Sequence, residues 1–107
     1  MEEIKSYKEL KDRISGGKYI MLYLSSPDCG VCHADLPRIE KLVNIMSFPG
    51  VRIDVEKVPE VSGQLGIFTV PAVLLYYQGK ELQRQVRFID FMELEKRMFQ
   101  LKQTDEY

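Results

Sequence analysis

Two short and almost continuously apolar runs stand out along the chain, at residues 18–25 and 72–77. Runs of this length without polar interruption are typical of buried strands. Downstream of the first run, apolar residues recur at helical spacing, at Leu36, Ile39, Leu42, Val43 and Met46. This repeat predicts a helix over residues 31–47, and the alternating, β-branched residues 51–55 predict a further strand.

Capping and turn residues place the remaining elements. Ser6 and Asp90 are each followed three residues later by a glutamate, which is the arrangement of a helix N-cap with its capping-box partner. The first of these helices is expected to stop at Gly16 and Gly17, and the second at about residue 102, with 103–107 as a frayed tail. In chain order, the prediction is a strand at 2–5, a helix at 6–14, a strand at 18–25, a helix at 31–47, a strand at 51–55, a helix at 59–65, strands at 72–77 and 81–87, and a helix at 90–102.

This order of elements predicts an α/β fold. Two apolar strands separated by helices indicate a parallel centre, and the closing hairpin supplies antiparallel edge strands. We therefore expect one mixed sheet with helices on both faces. The chain has 107 residues, of which 45% are hydrophobic. This is enough for one core without a metal or a structural disulfide, so we expect a single domain over residues 1–107.

The charge balance argues against several classes of partner. The chain carries 15 basic and 16 acidic residues with no long run of one sign, so we expect neither nucleic acid nor an anionic membrane to bind. The longest apolar run is far shorter than the roughly 20 residues that span a bilayer. The acidic, polar residues 1–5 are unlike the start of a secretory signal. These features predict a soluble, cytoplasmic protein, and we further expect a monomer.

Cys29 and Cys32 are the only cysteines, and they lie between the first apolar run and the helix that follows it. A thiol at such a strand-to-helix turn meets the unpaired N–H groups and the positive dipole end of the helix. Both favour the thiolate, which is the form that attacks disulfides. Two intervening residues bring the second sulfur within bonding distance of the first. In a reducing compartment, this spacing indicates catalysis or metal binding rather than a structural staple.

Two metal-linked interpretations compete with a redox pair. A zinc site normally needs four ligands, whereas the chain offers two cysteines and His33. His33 also completes the string C-x-x-C-H, which is the attachment motif of c-type haem. Haem attachment of that type belongs to exported proteins, and the surrounding strands argue against a small helical cytochrome. We therefore expect no metal and no cofactor, and we interpret His33 as a surface residue whose protonated form modestly favours the neighbouring thiolate.

The cysteine motif has companions elsewhere in the chain. Pro37 follows the second cysteine by five residues, Thr69-Val70-Pro71 precedes the second apolar strand, and Gly79 lies in the turn after that strand. Together with Cys29-Gly30-Val31-Cys32 and the order of elements, this set resembles the thioredoxin family over residues 2–102. The resemblance implies a thioredoxin fold and thiol–disulfide exchange at the cysteine pair.

The resemblance also implies a role for individual residues. Cys29 would be the nucleophile, and Cys32 would be the resolving thiol that attacks the mixed disulfide and releases the reduced substrate. Pro71 would be a cis-proline beside the pair. The backbone N–H and C=O of Val70, next to Thr69, would then pair with an extended substrate segment.

Residues around the cysteines are expected to tune the pair rather than to react. These residues are Gly30, Val31, His33 and Pro37. Pro37 lies inside the predicted helix, where it removes one hydrogen bond and bends the axis. Phe68 lies on the loop that is expected to border the cysteines, where either a hydrophobic contact to the substrate or packing in the core accounts for it.

The chain departs from the family pattern in several places. It contains no tryptophan, and Val31 replaces a proline, which argues against a strongly reducing role. Tyr23 stands where the family commonly buries an Asp that helps to deprotonate the resolving cysteine, and Arg52 stands where the family often has a Lys. Tyrosine has an ordinary pKa of about 10 and is a poor base at neutral pH, so we expect Tyr23 and Arg52 to be packing and strand-surface residues rather than catalysts. Glu56 is a weak substitute for the missing acid.

The leading hypothesis is a thiol–disulfide oxidoreductase that reduces protein disulfides. Its electron donor would be a flavoprotein reductase or a low-molecular-weight thiol. A glutaredoxin-like enzyme that acts on mixed disulfides of low-molecular-weight thiols is a first alternative. A second is a thioredoxin-fold redox sensor or binding module whose cysteines do not turn over, since a fold alone does not establish activity.

Overall fold

A computed structural model describes residues 1–105 of the chain. The strands within this range are β1 (Glu2–Glu3), β2 (Tyr19–Ser25), β3 (Gly50–Asp54), β4 (Ala72–Tyr77) and β5 (Lys80–Val86). The helices are α1 (Tyr7–Gly16), α2 (Gly30–Met46), α3 (Pro59–Leu65) and α4 (Phe91–Asp105). The predicted elements and their order are confirmed, with bounds that differ by at most three residues.

The sheet has the strand order β1-β3-β2-β4-β5. β1 and β2 each pair with β3 in parallel, whereas β4 pairs antiparallel with both β2 and β5. The predicted mixed sheet, with a parallel part and a closing antiparallel hairpin, is confirmed. The two apolar runs themselves, β2 and β4, lie side by side in opposite directions, so the antiparallel part extends to the centre of the sheet.

The connection between β3 and β4 contains only the short helix α3, and β4 runs against β2. A parallel connection has to carry the chain back along the whole length of the sheet before the next strand begins. The seven residues of α3 rise only about 10 Å, which is about half the length of a strand such as β4. Ser25 pairs with Asp54 and Leu24 pairs with Ala72, so β4 starts at the same edge of the sheet at which β3 ends.

The sheet buries a hydrophobic layer on each face. Neighbouring residues of a strand point to opposite faces, so Leu22 and Leu24 belong to one layer while Met21 and Tyr23 belong to the other. α1 and α3 cover the first layer, and α2 and α4 cover the second. Helices therefore lie on both faces, as predicted.

Local signals fix the ends of several elements. The side chains of Ser6 and Asp90 each accept a backbone N–H from the first turn of the helix that follows, as the capping motifs predict. Gly66 ends α3 with a φ of 67°, and Gly79 forms the β4–β5 turn with a φ of 82°. Glycine adopts this left-handed conformation without a Cβ penalty, so both positions suit the residue that occupies them.

The carboxyl end of α4 differs from its prediction. The helix continues through Asp105 instead of giving way to a frayed tail after residue 102. Lys102 Nζ donates a hydrogen bond to the carbonyl oxygen of Met46, which ties this last part of α4 to the end of α2. Of the predicted tail, residues 106–107 lie outside the described range.

One edge of the sheet collects the loops that carry the candidate chemistry. Leu24 pairs with Ala72, which in turn pairs with Val86. The ends of β2 and β5 and the start of β4 therefore form one row across the sheet. The 26–29 turn, the 66–71 loop and the residues after Val86 all continue from this row. Because neighbouring strands lie about 4.8 Å apart, the row brings the cysteine turn next to the predicted substrate loop.

Candidate active site

Cys29 and Cys32 lie at the amino end of α2 and are joined by a disulfide bond. Cys29 is the N-cap residue, and its Sγ accepts the backbone N–H of Cys32 at 3.1 Å. The backbone N–H of Cys29 donates to the carbonyl oxygen of Ser26 at 3.2 Å and closes the turn that follows β2. An acceptor at this position gains from the unpaired N–H groups and the positive end of the helix dipole. The arrangement therefore favours negative charge on the Cys29 sulfur once the disulfide is reduced.

The two cysteines differ in exposure. Cys32 is only 2% exposed, whereas Cys29 is half-buried. Gly30 and Val31, between them, are both exposed. The prediction that Cys32 is the less exposed thiol is confirmed, and a large substrate has access to the pair from the Cys29 side.

Tyr23 lies in β2 beneath the first turns of α2. Its side chain is fully buried, and its hydroxyl donates to the carbonyl oxygen of Cys32 at 2.8 Å. Burial, with a smaller contribution from the negative charge of Asp35, raises the pKa of Tyr23 well above its ordinary range. The hydroxyl is therefore neutral at physiological pH and holds its proton. Tyr23 packs in the core and ties α2 to the sheet, in agreement with its predicted packing role.

His33 connects α2 to the turn that precedes Cys29. Its side chain is exposed, and its Nε2 lies 2.8 Å from the carbonyl oxygen of Pro27. Because a carbonyl oxygen only accepts, Nε2 is the ring nitrogen that carries hydrogen in this contact. The backbone N–H of His33 also donates to the carbonyl oxygen of Cys29 at 3.2 Å. His33 thus lies at the surface, as predicted, and in addition braces the turn that holds Cys29.

Pro37 lies inside α2 and is exposed. Because proline has no N–H, the carbonyl of His33 four residues earlier cannot receive its usual helical hydrogen bond. Pro37 therefore acts on the backbone of the segment that carries the cysteines, which is the structural role expected of it.

The predicted substrate loop lies at the same edge of the sheet as the cysteine turn. The Val70–Pro71 peptide bond is cis. Pro71 is buried, Val70 is half-buried against the first hydrophobic layer, and Thr69 is exposed. Phe68 is 81% exposed, so its expected alternative role in core packing is wrong. The ring is available to a binding partner.

A pocket of about 180 Å³ lies beside Cys32. Its walls combine Cys32 and Tyr23 with charged residues from β1, from β3 and from the loop after β3, namely Glu3, Arg52, Asp54 and Lys57. The Glu3 carboxylate accepts a hydrogen bond from Lys5 Nζ at 3.0 Å and lies 3.7 Å from Lys57 Nζ. The hydrogen bond from Lys5 and the positive charges of Lys5 and Lys57 lower the pKa of Glu3. Glu3 is therefore ionised at neutral pH.

Sequence reasoning missed Glu3, Asp54 and Lys57 as neighbours of the cysteine pair and considered Glu56 instead. Glu56 is exposed, and its backbone N–H donates to Asp54 Oδ1 at 2.9 Å. Glu3 reaches the pocket because β1 pairs with β3, and no local pattern reveals that long-range pairing. Asp54 could have been found, because it ends β3 at the edge where the carboxyl ends of the parallel strands meet.

The site residues do not form a metal-binding group. Among the side chains described, those of residues 1–104, no three His, Cys, Asp or Glu side chains are grouped so that they could hold a metal ion. His33, the third ligand that a zinc site would require, directs Nε2 to the carbonyl oxygen of Pro27. No helix described in the same range is long and apolar enough to cross a membrane.

Comparisons with known proteins agree with this geometry. The family model described as thioredoxin matches residues 3–99. The Thioredoxin-like protein YdfQ of Bacillus subtilis is 35% identical over 101 residues, which cover 92% of this chain and 88% of that protein. A thioredoxin of Chlamydia muridarum is 27% identical over 91 residues, which cover 84% of this chain and 88% of the relative.

Solved structures share the fold. The structure of a Plasmodium falciparum thioredoxin matches with a TM-score of 0.85 at 20% identity, and the match covers 91% of this chain and 98% of that chain. A mixed five-stranded sheet with a C-x-x-C pair at the amino end of α2 defines the class of thioredoxin-like thiol–disulfide oxidoreductases. The chain belongs to the thioredoxin family. Membership supports thiol–disulfide oxidoreductase chemistry at this general level.

Proposed function

We propose that the protein reduces disulfide bonds in other proteins, with Cys29 as the nucleophile and Cys32 as the resolving thiol. In the first step, the Cys29 thiolate attacks one sulfur of the substrate disulfide. A Cys29–substrate bond forms, the substrate S–S bond breaks, and the other substrate sulfur leaves as a thiolate. In the second step, Cys32 loses its proton and attacks the Cys29 sulfur. The internal disulfide forms, the second substrate thiolate leaves, and two electrons have passed to the substrate.

The observation that carries this assignment is the difference between the two sulfurs. The Cys29 sulfur caps α2 and accepts the Cys32 N–H at 3.1 Å, which stabilises a thiolate on Cys29. Cys29 is also the more exposed of the two cysteines, whereas Cys32 is buried behind it. A bulky protein disulfide therefore reaches Cys29 first, and Cys32 needs to reach only the sulfur next to it.

An extended segment of the substrate would lie along residues 68–71. The backbone of Val70 would pair with this segment, since main-chain groups at the start of a strand can add a further extended chain. Thr69 is exposed beside it, and the exposed ring of Phe68 offers apolar area. Fully burying an aromatic side chain of this size contributes about 1.5–3 kcal/mol. Phe68 is therefore the residue of this loop whose burial would contribute most to substrate binding.

We further propose that the reaction takes place in the cytoplasm, where thiols are kept reduced. After each cycle the internal disulfide needs two electrons. A flavoprotein reductase or a low-molecular-weight thiol would supply them by the reverse exchange at the same pair. The donor would approach Cys29, because that side of the disulfide is the exposed one.

Reduction of insulin, with dithiothreitol as the donor, tests the assignment. The parent protein is expected to complete many turnovers. Cys29→Ser should lose the activity above the dithiothreitol background while its circular dichroism spectrum stays that of a folded protein. A pre-reduced Cys32→Ser variant, separated from dithiothreitol before insulin is added, should still attack once and accumulate a protein–insulin mixed disulfide that mass spectrometry detects. A Cys29→Ser variant that reduces insulin as fast as the parent would overturn the assignment.

The same preparation separates the alternative functions. Multiple turnovers on insulin exclude a sensor or binding module. A single exchange followed by a stable internal disulfide favours such a module and contradicts our proposal. A clear preference for a glutathione mixed disulfide over insulin would indicate a glutaredoxin-like enzyme instead.

A further inference from the structure

Arg87 has an unusual backbone conformation at the end of β5. Its φ is 74°, a left-handed value that is rare for a residue with a long side chain. The conformation is held by two backbone hydrogen bonds, from Arg87 N–H to the carbonyl oxygen of Pro71 at 2.7 Å and from Phe88 N–H to that of Val86 at 2.9 Å. Conformations of this kind cluster at functional sites, and this one is fastened directly to the predicted substrate loop.

The position of Arg87 relative to the cysteine pair follows from the strand register. Val86, Ala72 and Leu24 form one row across β5, β4 and β2. Arg87 and the 26–29 turn both continue from this row at the same edge of the sheet. Two strand spacings amount to about 10 Å. An extended peptide bound across this edge, with its sulfur on Cys29, would therefore pass within reach of the Arg87 side chain.

The guanidinium of Arg87 lacks an acidic partner among the described residues. Arg84 on the same strand pairs with Glu81 at 2.7 Å, whereas no described carboxylate forms a salt bridge with Arg87. The Arg87 side chain is exposed, and its guanidinium lies over the ring of Phe88, 5.5 Å from the ring centre. Such a cation–π contact is weak at an exposed site and uses none of the hydrogen-bond donors of the guanidinium. A guanidinium without an acidic partner can bind a carboxylate through two parallel hydrogen bonds.

We propose that Arg87 determines substrate specificity by binding an acidic side chain that lies a few residues from the attacked cysteine of the substrate. This inference rests on the proposed disulfide exchange at Cys29. Phe68 and Phe88, both about four-fifths exposed, provide apolar surface that shields the ion pair from water when the substrate binds. Asp28, directly before Cys29, carries the opposite charge and disfavours a carboxylate on its own side. The acidic residue of the substrate therefore lies on the β5 side of the cysteine pair.

Three synthetic peptides test this inference. Each carries one cysteine joined to 5-thio-2-nitrobenzoate, and the peptides differ only in having Glu, Gln or Lys two positions before and two positions after that cysteine. Attack of Cys29 on the peptide sulfur forms the mixed disulfide and releases the aromatic thiolate, which is measured by its absorbance. The quantity compared is the ratio of second-order rate constants for the Glu and Lys peptides, within each protein variant. The parent should favour the Glu peptide by about three- to tenfold at low salt, and 0.5 M NaCl should reduce the ratio.

Variants at Arg87 and a matched control locate the source of the preference. Arg87→Asn removes the charge and keeps a residue that tolerates positive φ, so the ratio should fall to about one or below. Arg87→Gly provides the same test with no side chain at this position, in case the asparagine variant does not fold. Lys80→Gln removes a cation at the other end of β5, about 20 Å away, and should keep the ratio of the parent.

Each outcome bears on one claim. A parent that reacts with all three peptides at one rate overturns the specificity inference and leaves the proposed exchange intact. A preference that survives in both Arg87 variants also overturns the inference. A parent that reacts with none of the peptides overturns the proposed function, and the inference falls with it.

Discussion

Cys29 and Cys32 share one bond, yet the regions around them have opposite character. The Cys29 side is an exposed rim on which Val31, Phe68 and Phe88 present apolar side chains to solvent. The Cys32 side is a closed floor built on the fully buried ring of Tyr23. The exposed side chains of the rim are accessible to a binding partner, whereas the ring of Tyr23 is fully packed inside the protein. In the proposed exchange, the attack by Cys29 takes place on the exposed side of the pair and the attack by Cys32 on the buried side.

The floor also differs from the rim in its proton chemistry. The hydroxyl of Tyr23 is bonded to the Cys32 carbonyl, and burial raises the pKa of Tyr23 well above its ordinary range. Tyr23 therefore cannot remove the Cys32 proton at neutral pH. The charged groups nearest to that side line the pocket of about 180 Å³, and Glu3 among them is already paired with Lys5 and Lys57. In the proposed exchange, the proton of Cys32 therefore passes to a group other than Tyr23.

The largest expected effect concerns the floor. Tyr23→Ala removes a fully buried ring and should lower the free energy of unfolding by about 3–5 kcal/mol, measured by urea denaturation. The matched variant Tyr23→Phe keeps the ring and loses only the hydrogen bond to the Cys32 carbonyl, so it should cost about 1 kcal/mol. An alanine variant within about 1 kcal/mol of the parent would show that the ring does not support the floor.

Substitutions on the rim should affect catalysis more than stability. Phe68→Ala is expected to change the free energy of unfolding by less than about 0.5 kcal/mol, because the side chain is exposed, but to lower kcat/KM for insulin about three- to tenfold. Phe99→Ala, which truncates an exposed phenylalanine on α4, serves as the control and should alter neither quantity. Equal kcat/KM values for the parent and Phe68→Ala would remove Phe68 from the substrate surface.

The smallest effect concerns the charges behind Cys32. The pKa of Glu3 is lowered in the folded protein, so its ionised form stabilises the fold above the unfolded value of about 4.3. This contribution is lost as the pH falls through the lower folded value. Glu3→Gln should therefore melt slightly below the parent at pH 7, and the difference should vanish in strongly acidic buffer. Glu95→Gln, on the exposed surface of α4, should show no such pH-dependent difference, and a Glu3→Gln difference that grows in acid would refute the pairing.

Much of this fold can be predicted from local patterns in the sequence. α3 and β4 match their predicted bounds, because Pro59 and Gly66 mark the ends of the helix and a continuous apolar run marks the strand. The N-caps at Ser6 and Asp90 are equally local, and the structure has both. The motif at residues 29–32 likewise predicts the cysteine pair at the start of α2. Interactions between residues that are close in the sequence are enough to predict each of these features.

The features that sequence reasoning missed depend on distant partners. Glu3 approaches the cysteine pair only because β1 lies beside β3. The hydroxyl of Tyr23 donates its hydrogen bond to the Cys32 carbonyl only because α2 is packed across β2. The positive φ of Arg87 reflects its hydrogen bond to Pro71, sixteen positions earlier in the chain. In each case a non-local contact decides the role, and the residue type alone does not reveal it.

The most direct test of the account is the alkylation rate of each thiol in the fully reduced protein. Iodoacetamide is uncharged, and peptide mass spectrometry reports Cys29 and Cys32 separately across a range of pH. We predict that at pH 7 Cys29 reacts at least about a hundredfold faster than Cys32, with a pH midpoint below the value of about 8.5 for a free thiol. Equal rates at the two positions, or faster alkylation of Cys32, would contradict the division between rim and floor.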